Sequence, residues 1–373
     1  MTFSSTALPT TAPLPASTYH AASVFEQEKA LFAAAPQFVG HASDVPNPGD
    51  YYALPHEGEA RVLLRRVDGS LGLLGNICRH RQAIMLRGKG RLPAHQQITC
   101  PLHHWAYDEC GQQTAAPEFT QNPCRHLPSY PLHTWNGLLF TGPRSPAADF
   151  AKLASAHALD FSNYALGHVE QHHCAYNWKT FMEVYLEDYH VAPSHPGLGR
   201  FVDCGQLQWQ FDAHYSVQTV GLSPQFNSPG SAAYLAWHQA VQSKEPALPQ
   251  HGAIWLSYYP MLMVEWYPNV LTVSTLQALG PQSTQNTVAF FYPQEVLDFE
   301  PEYCAAQQAA YRETCQEDDD FALRMDAGRK ALWLSGTTDA GPYQSPLEDG
   351  MVHFHAWYRA QMQAIKRKLK PKP

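Results

Sequence analysis

Two short segments of the same unusual make-up constrain this chain more than anything else in it. In NICRHRQ, Cys78 and His80 form a C-x-H pair, and in TCPLHHW, Cys100 and His103 form a C-x-x-H pair. Two thiolates and two imidazoles, delivered as mixed pairs on separate loops, fit a [2Fe–2S] centre of the Rieske type. One iron is then held by the cysteines and the other by the histidines. Neutral imidazoles in place of thiolates raise the potential, so such a centre passes single electrons at a moderate value. Structural zinc is the competing reading, because four such side chains also close a tetrahedral site. The zinc pattern opens with C-x-x-C and ends on a histidine pair, whereas both pairs here are mixed. Pro101, directly after the second cysteine, and Trp105, two residues past His103, belong to the Rieske pattern as well. His104 stands where glycine is usual and offers an alternative ligand, but the C-x-x-H spacing favours His103.

A second stretch, NWKTFMEVYLEDYHVAPSH from Asn177 to His195, reads as a short acidic and aromatic helix with His190 and His195 just beyond it. Glu183, Glu187 and His190 are spaced by four and three residues, which places them on one helical face. His195 lies five residues past His190, about 140° round a regular helix. Pro193 intervenes and cannot continue the hydrogen-bond ladder, so the chain is expected to deviate there and turn both imidazoles toward one point. Two neutral imidazoles with an acid nearby begin a 2-His-1-carboxylate iron site, which leaves coordination positions open for oxygen. The bland alternative is a helix end with surface histidines.

The chain has 373 residues, 45% of them hydrophobic, enough for two domains of ordinary size. Its net charge of −8 argues against nucleic acid as a partner. The terminal run KRKLKPKP reads as a solvated tail. No apolar run reaches the ~18 residues of a membrane span. The first 17 residues, rich in Ser, Thr and Pro and without positive charge, read as a disordered lead-in rather than an export signal. A cytoplasmic location is therefore expected, with the eight cysteines as thiols or metal ligands. Val24 to Phe32 is a short amphipathic helix. Short β-type runs follow from Phe38 to Phe140, with a hairpin over Arg61–Arg66 and Leu71–Leu74 turning at Asp68-Gly69. A linker rich in Pro, Ala and Asp comes at about residues 141 to 160. Further strands are expected at Ala253–Tyr258, Leu262–Trp266, Val270–Ala278 and Val288–Tyr292, and helices at Glu302–Leu332 and Gly350–Leu369. The expected division is 1–35, lead-in and N-terminal helix; 36–150, cluster domain; and 151–373, α+β catalytic domain.

The two Cys/His pairs, together with the E-D-x-Y-H-x(4)-H core at Glu187–His195, resemble the oxygenase (α) subunit of Rieske non-haem iron oxygenases, the aromatic-ring-hydroxylating dioxygenase family. The late segment GPYQSPLEDGMVHFHAWY is similar to the choline- and carnitine-type monooxygenases. The resemblance implies an all-β Rieske domain followed by an antiparallel sheet with helices of the helix-grip, START-like kind. Respiratory Rieske proteins carry an extra cysteine in each cluster loop. Ala83 and Leu102 stand at those neighbours here, so no such disulfide is possible. The third iron ligand implied is Asp318, since Glu317-Asp318 with Met325 and Gly328 match the family's pattern; Asp319 and Asp320 are the alternatives. Glu187 matches the acid that links the cluster histidine of one subunit to the iron histidine of the next, which implies a head-to-tail ring, most simply a homotrimer. A separate NAD(P)H-dependent reductase or ferredoxin supplies electrons through the cluster to Fe(II), where O₂ is activated and a small organic substrate oxidised. Val184 replaces an asparagine found near the iron in many ring dioxygenases, which favours hydroxylation or oxidative demethylation over dihydroxylation. Trp209, Trp255, Tyr258, Tyr259, Trp266 and Tyr267 are candidates to cage a trimethylammonium group or stack on an arene. A Rieske electron carrier and a redox sensor are the readings from other classes; neither needs the second metal site.

Overall fold

The computed structural model of the protein describes residues 12–93, 97–244, 248–337 and 340–369. These form two compact units, one of residues 36–151 and the other of the N-terminal segment to residue 35 together with residues 152 onward.

The smaller unit is built of short antiparallel strands. A five-stranded sheet runs Lys89–Arg91, Asp50–Ala53, Arg61–Arg65, Leu71–Gly75, Ser129–Tyr130, and a three-stranded one runs Gln37–His41, Leu138–Thr141, His133–Trp135. The expected hairpin pairs Arg61 with Gly75 through Arg65 with Leu71. Gly69 takes the left-handed conformation (φ +84°) that closes the turn, and the Ser70 amide donates to the Asp68 carboxylate at 2.8 Å. The two strands are buried on both faces. Val62, Leu64 and Leu74 pack into one cluster with Cys78, Cys100, Trp105 and Tyr107, while Leu63 and Leu73 pack into a second. Alternation along the strand therefore divides two cores, and one of them backs directly onto the Cys/His loops.

In the larger unit, seven antiparallel strands form one sheet, ordered Tyr164–Cys174, Ser283–Pro293, Val270–Gly280, Leu262–Tyr267, Ala253–Tyr258, Tyr215–Leu222, Val202–Asp212. From Val202 to Pro293 each strand pairs with its sequence neighbour, and Tyr164–Cys174 adds to the free edge of Ser283–Pro293, the last strand in the chain. A helix from Pro301 to Ser335 crosses this sheet. Proline occupies its first turn, where no amide donor is needed, and Gly336 (φ +72°) ends it with a left-handed cap. Val220, Ala253, Val270, Val288 and Phe290 of the sheet meet Tyr303, Cys304 and Ala310 of the helix in a single apolar layer.

The N-terminal residues differ from expectation. Residues 1–11 of the anticipated lead-in lie outside the described residues. Leu14 is buried with Tyr19 and Leu31 against Trp178, Phe354, Trp357 and Tyr358, so the lead-in is structured before residue 17. The helix Ala22–Ala33 carries Glu28, whose carboxylate meets the ammonium of fully buried Lys179 at 2.7 Å. At the other end Lys366, Arg367 and Lys368 are exposed but helical, forming the last turn of Asp349–Leu369, where positive charge suits the helix dipole. Residues 370–373 of that run lie outside the described residues. No helix among the described residues is long and apolar enough to cross a membrane.

Candidate active site

The two Cys/His loops are built alike. In the first, the Cys78 amide donates to Ala83 O at 2.8 Å and the Gln82 amide to Cys78 O at 3.1 Å. In the second, the Cys100 amide donates to Trp105 O at 2.8 Å and the His104 amide to Cys100 O at 3.1 Å. Gln82 (φ +62°) and His104 (φ +57°) hold the same left-handed position in each loop. That accounts for the glycine usually found where His104 stands. Cys78 and Cys100 are both buried, and burial pushes the Cys100 thiol up. The imidazoles of His80 and His103 lie edge to face with ring centroids 4.8 Å apart, and His80 stacks on Trp105 at 4.9 Å. The Nδ1 atom of His80 is buried without a hydrogen-bond partner. A pair of inward thiols beside an orphaned imidazole nitrogen fits a cluster held by two cysteines and two histidines, with His103 rather than His104 facing His80.

The second stretch departs from its expected shape. The helix begins at Trp178, capped by the Asn177 side chain accepting from the Lys179 amide at 2.9 Å, and stops at Tyr185. Glu187 and His190 therefore do not share a helical face with Glu183. Glu183 is fully buried and bonds to Tyr19, Arg329 and, at 2.7 Å, His355 Nε2. The chain turns at residues 186–190, before Pro193. Pro193 then sits in the first turn of a second short helix, Val191–Ser194, where a missing amide costs nothing. His190 and His195 bracket that helix, and their rings converge with centroids 5.0 Å apart.

His190, His195 and Asp318 offer ligand atoms that all lie within 4.8 Å of one another. His195 Nε2 is 3.0 Å and His190 Nε2 3.3 Å from Asp318 Oδ1, yet that oxygen closes no hydrogen bond of normal geometry. On the far side of each ring a carboxylate takes Nδ1: Glu187 Oε1 at 2.6 Å from His190, and Glu317 Oε2 at 2.6 Å from His195. An Nδ1–H donated to a carboxylate leaves the Nε2 lone pair for a metal, and both Nε2 atoms converge on the Asp318 oxygen. Burial opposes charge on these rings, but Asp318 and Glu187 outweigh it and raise His190 to about 10 without a metal. The three neighbouring aspartates separate cleanly. Asp318 faces the histidines, Asp319 accepts from the Tyr176 hydroxyl at 2.6 Å, and Asp320 pairs with Arg324 at the surface at 2.7 Å. Two imidazoles and one carboxylate fit a facial N,N,O iron site. Glu317 escaped the sequence reading as a functional residue. The one signal for it was that a ligating imidazole needs an acceptor on its other nitrogen.

The triad borders an open cavity of about 100 Å³. Trp255 and Tyr267 line it, as does Val184. The remaining aromatic candidates do not border it: Trp209 bonds to Pro346 O and stacks on Phe211, and Tyr259 bonds to Ser216 and His353. Tyr258 and Trp266 are likewise outside the lining, and Phe181, Tyr185, Tyr234, Trp237 and Tyr311 supply aromatic walls that the sequence reading had not singled out. No lysine or arginine lines the cavity among the described residues, whereas Glu187, Asp188, Glu265, Asp318 and Asp319 do.

Comparison with known proteins gives the same outline. The sequence model of the ring-hydroxylating α subunit (catalytic domain) matches residues 161–364, and that of the Rieske [2Fe–2S] domain matches residues 35–131. A putrescine 2-hydroxylase of Ralstonia nicotianae is 54% identical over 357 residues, covering 95% of this chain and 97% of the relative. The carnitine monooxygenase oxygenase subunit of Acinetobacter baumannii is 27% identical, over 68% of this chain and 79% of the relative. A quaternary ammonium Rieske monooxygenase, its structure described in terms of carnitine oxidation and inter-subunit electron transfer, superposes with a TM-score of 0.73 at 18% identity, covering 95% of each chain. Two domain matches in series and a cluster site and a metal triad in the corresponding units lead to one assignment: the chain is an oxygenase α subunit of the Rieske non-haem iron oxygenase family.

Proposed function

We propose that this chain hydroxylates an aliphatic C–H bond of a small diamine of the putrescine kind, as a monooxygenase fed by a separate reductase or ferredoxin. The observation that carries this reading is the cavity itself, in which the triad opens onto aromatic walls and several carboxylates with no cationic side chain among the described residues. A diammonium ion complements such a lining, whereas an anionic substrate is repelled by it and a purely aromatic one supplies no counter-charge to Glu265, which pairs with no cation among the described residues. The 54% identity to a putrescine 2-hydroxylase supports the same substrate class. Val184, apolar where many ring dioxygenases carry an asparagine, supports single hydroxylation.

In this reading Cys78, His80, Cys100 and His103 hold the [2Fe–2S] cluster, and His190, His195 and Asp318 hold Fe(II). When bound, these groups supply one-electron transfer and O₂ activation. The chain's own contribution is positional. Glu187 and Glu317 fix the tautomers of the two ligand histidines, Phe321 packs 6.1 and 6.3 Å from their rings, and the aromatic walls exclude water from the carbon chain of the substrate. Glu187 grips His190 through both its ring and its amide, and it accepts a further hydrogen bond from a cluster histidine of a neighbouring protomer. A homotrimeric ring supplies that neighbour, and a reducing, cytoplasmic setting suits six free thiols beside the two cluster cysteines. The test is turnover of 1,4-diaminobutane by the purified protein with a matched reductase under ¹⁸O₂. The expected product is a hydroxylated diamine carrying one labelled oxygen per NADH consumed. Labelled product from carnitine or an arene, and none from any diamine, would refute the reading.

A further inference from the structure

Glu265 occupies the middle of LMVEWY, the fourth strand of the seven and otherwise apolar, and is buried. Across the sheet it pairs with Trp255 on one side and Thr272 on the other. A carboxylate is an expensive choice at the centre of a sheet unless something pairs with it. No cation among the described residues does so: the groups acting on it are the Thr272 and Tyr185 hydroxyls and the charge of Asp318. The two hydroxyl oxygens are themselves buried without a hydrogen bond of normal geometry. Glu265 borders the cavity, so this carboxylate faces the substrate space beside two hydroxyls and without a counter-charge among the described residues.

Its surroundings specify what would complete it. Trp255, its cross-strand neighbour, and Tyr267, two residues along the same face, are locked to each other by Trp255 Nε1 donating to Tyr267 Oη at 2.8 Å. Both rings border the cavity beside the carboxylate. Tyr311, Cys315 and Asp318 follow at intervals of four and three along the long helix, so one helical face carries both the residues opposite Glu265 and the triad carboxylate. An occupant held at Glu265 between these rings lies within the same chamber as the iron ligands.

Resting on the diamine reading above, we propose that Glu265 is the specificity-determining anchor for a primary ammonium group of the substrate. It holds that group by a charge-assisted hydrogen bond against the rings of Trp255 and Tyr267 and so presents the carbon chain to the triad. An –NH₃⁺ group has N–H donors to give to the carboxylate and to the oxygens of the Tyr185 and Thr272 hydroxyls beside it. A trimethylammonium group keeps the cation–π attraction of the rings but has no hydrogen to donate. Glu265 thereby selects primary amines over quaternary ones.

The test is calorimetric titration of the holoenzyme with 1,4-diaminobutane and with its mono-trimethylammonium analogue. Wild-type protein should bind the diamine more tightly than the analogue. Glu265→Gln, matched in volume, should weaken the diamine by roughly 30-fold or more while moving the analogue far less. Glu265→Asp should recover part of the loss, which a merely structural role would not produce. Iron content and the visible spectrum of the cluster verify that each variant is intact; should Glu265→Gln fail to assemble, Glu265→Met, which also removes the charge at similar volume, decides in its place. Diamine affinity within threefold of wild type in the variant that decides overturns this inference while leaving the diamine reading in place. A wild-type protein that binds no aliphatic amine at all overturns both.

Discussion

Replacing Glu183 by glutamine probes the connection that holds in place the helix leading into the two ligand histidines. The Glu183 carboxylate is fully buried and gathers Tyr19 from the N-terminal segment, Arg329 from the long helix and His355 from the C-terminal helix. Arg329 also donates to Thr180 Oγ1 at 2.9 Å, and Asp326 accepts the Asn177 amide at 2.8 Å, so both ends of the helix Trp178–Tyr185 depend on the cluster. Burial alone would raise the Glu183 pKa, but Arg329, His355 and Tyr19 outweigh it and hold it down to about 2, from an ordinary 4.5. That difference corresponds to about 3 kcal/mol between the two protonation states. It agrees with the ~3–5 kcal/mol lost when one partner of a buried ion pair is removed. For a unit of this size each kcal/mol moves the midpoint by ~2–4 °C, so Glu183→Gln should lower Tm by about 10 °C at pH 7. The folded-state pKa is depressed, so the stabilisation is complete above about pH 4.5 and is lost as pH falls toward 2. The gap between wild type and variant should therefore narrow over that interval. Thermal unfolding of the iron-loaded protein at a series of pH values measures both effects. A Tm difference under 2 °C at pH 7, or a gap that does not change with acidity, would show that the carboxylate is not held as described.

Other perturbations separate the sites. Asp318→Ala should reduce bound iron from about three to about two atoms per chain with the cluster spectrum intact, whereas Asp320→Ala, which loses only a surface pair with Arg324, should leave iron unchanged. Glu187→Gln keeps an acceptor for His190 Nδ1 but removes the charge. It should retain all the iron while reductase-coupled turnover falls by at least tenfold, and undiminished coupled turnover would remove Glu187 from the electron route. Burial and the charge of Asp318 raise Glu265 to about 7. Its neighbours Tyr267, Tyr185, Tyr311 and Cys315 are all pushed upward, but burial and Glu187 also raise Asp188, elsewhere in the cavity lining, to about 7, so the profile is read against that of Glu265→Gln. Diamine kcat/KM should therefore fall as pH drops through about 7 in wild type, and a profile flat from pH 8 to 5.5 would contradict the anchoring role. Glu28→Ala strands the buried Lys179 ammonium and should cost ~3–5 kcal/mol in denaturant unfolding, against under ~1 kcal/mol for removing the exposed Glu26 from its pair with Lys29.

The cluster loops were legible because everything they need is local. Spacing within Cys78–His80 and Cys100–His103 fixes which atoms can share a metal group, and the two hydrogen bonds that close each loop span only four and five residues. The strands from Ala253 to Tyr292 were legible for the same reason, since Pro and Gly bound apolar runs that pair with their immediate neighbours. The early end of the helix at Tyr185 was not. Leu186, Glu187 and Asp188 contain no breaker, and the chain leaves the helix where the Asp188 amide is taken up by Leu347 O, far along the sequence. Glu265 gave no signal either, because one acid in a strand of six residues is unremarkable until its neighbours across the sheet are known.

The sequence alone determined the candidate ligand types, their grouping into two candidate sites and the family to which the chain belongs, all of which depend on side-chain chemistry and spacing along the backbone. Tertiary structure decided which of three consecutive aspartates faces the histidines, which acids orient the imidazoles and which aromatics wall the cavity. Successive residues on a helix point about 100° apart, and only the docking of the long helix across the sheet selects one of those directions. The contact between His195 and Glu317 spans 122 residues, a separation over which local preference carries no information and packing settles the outcome.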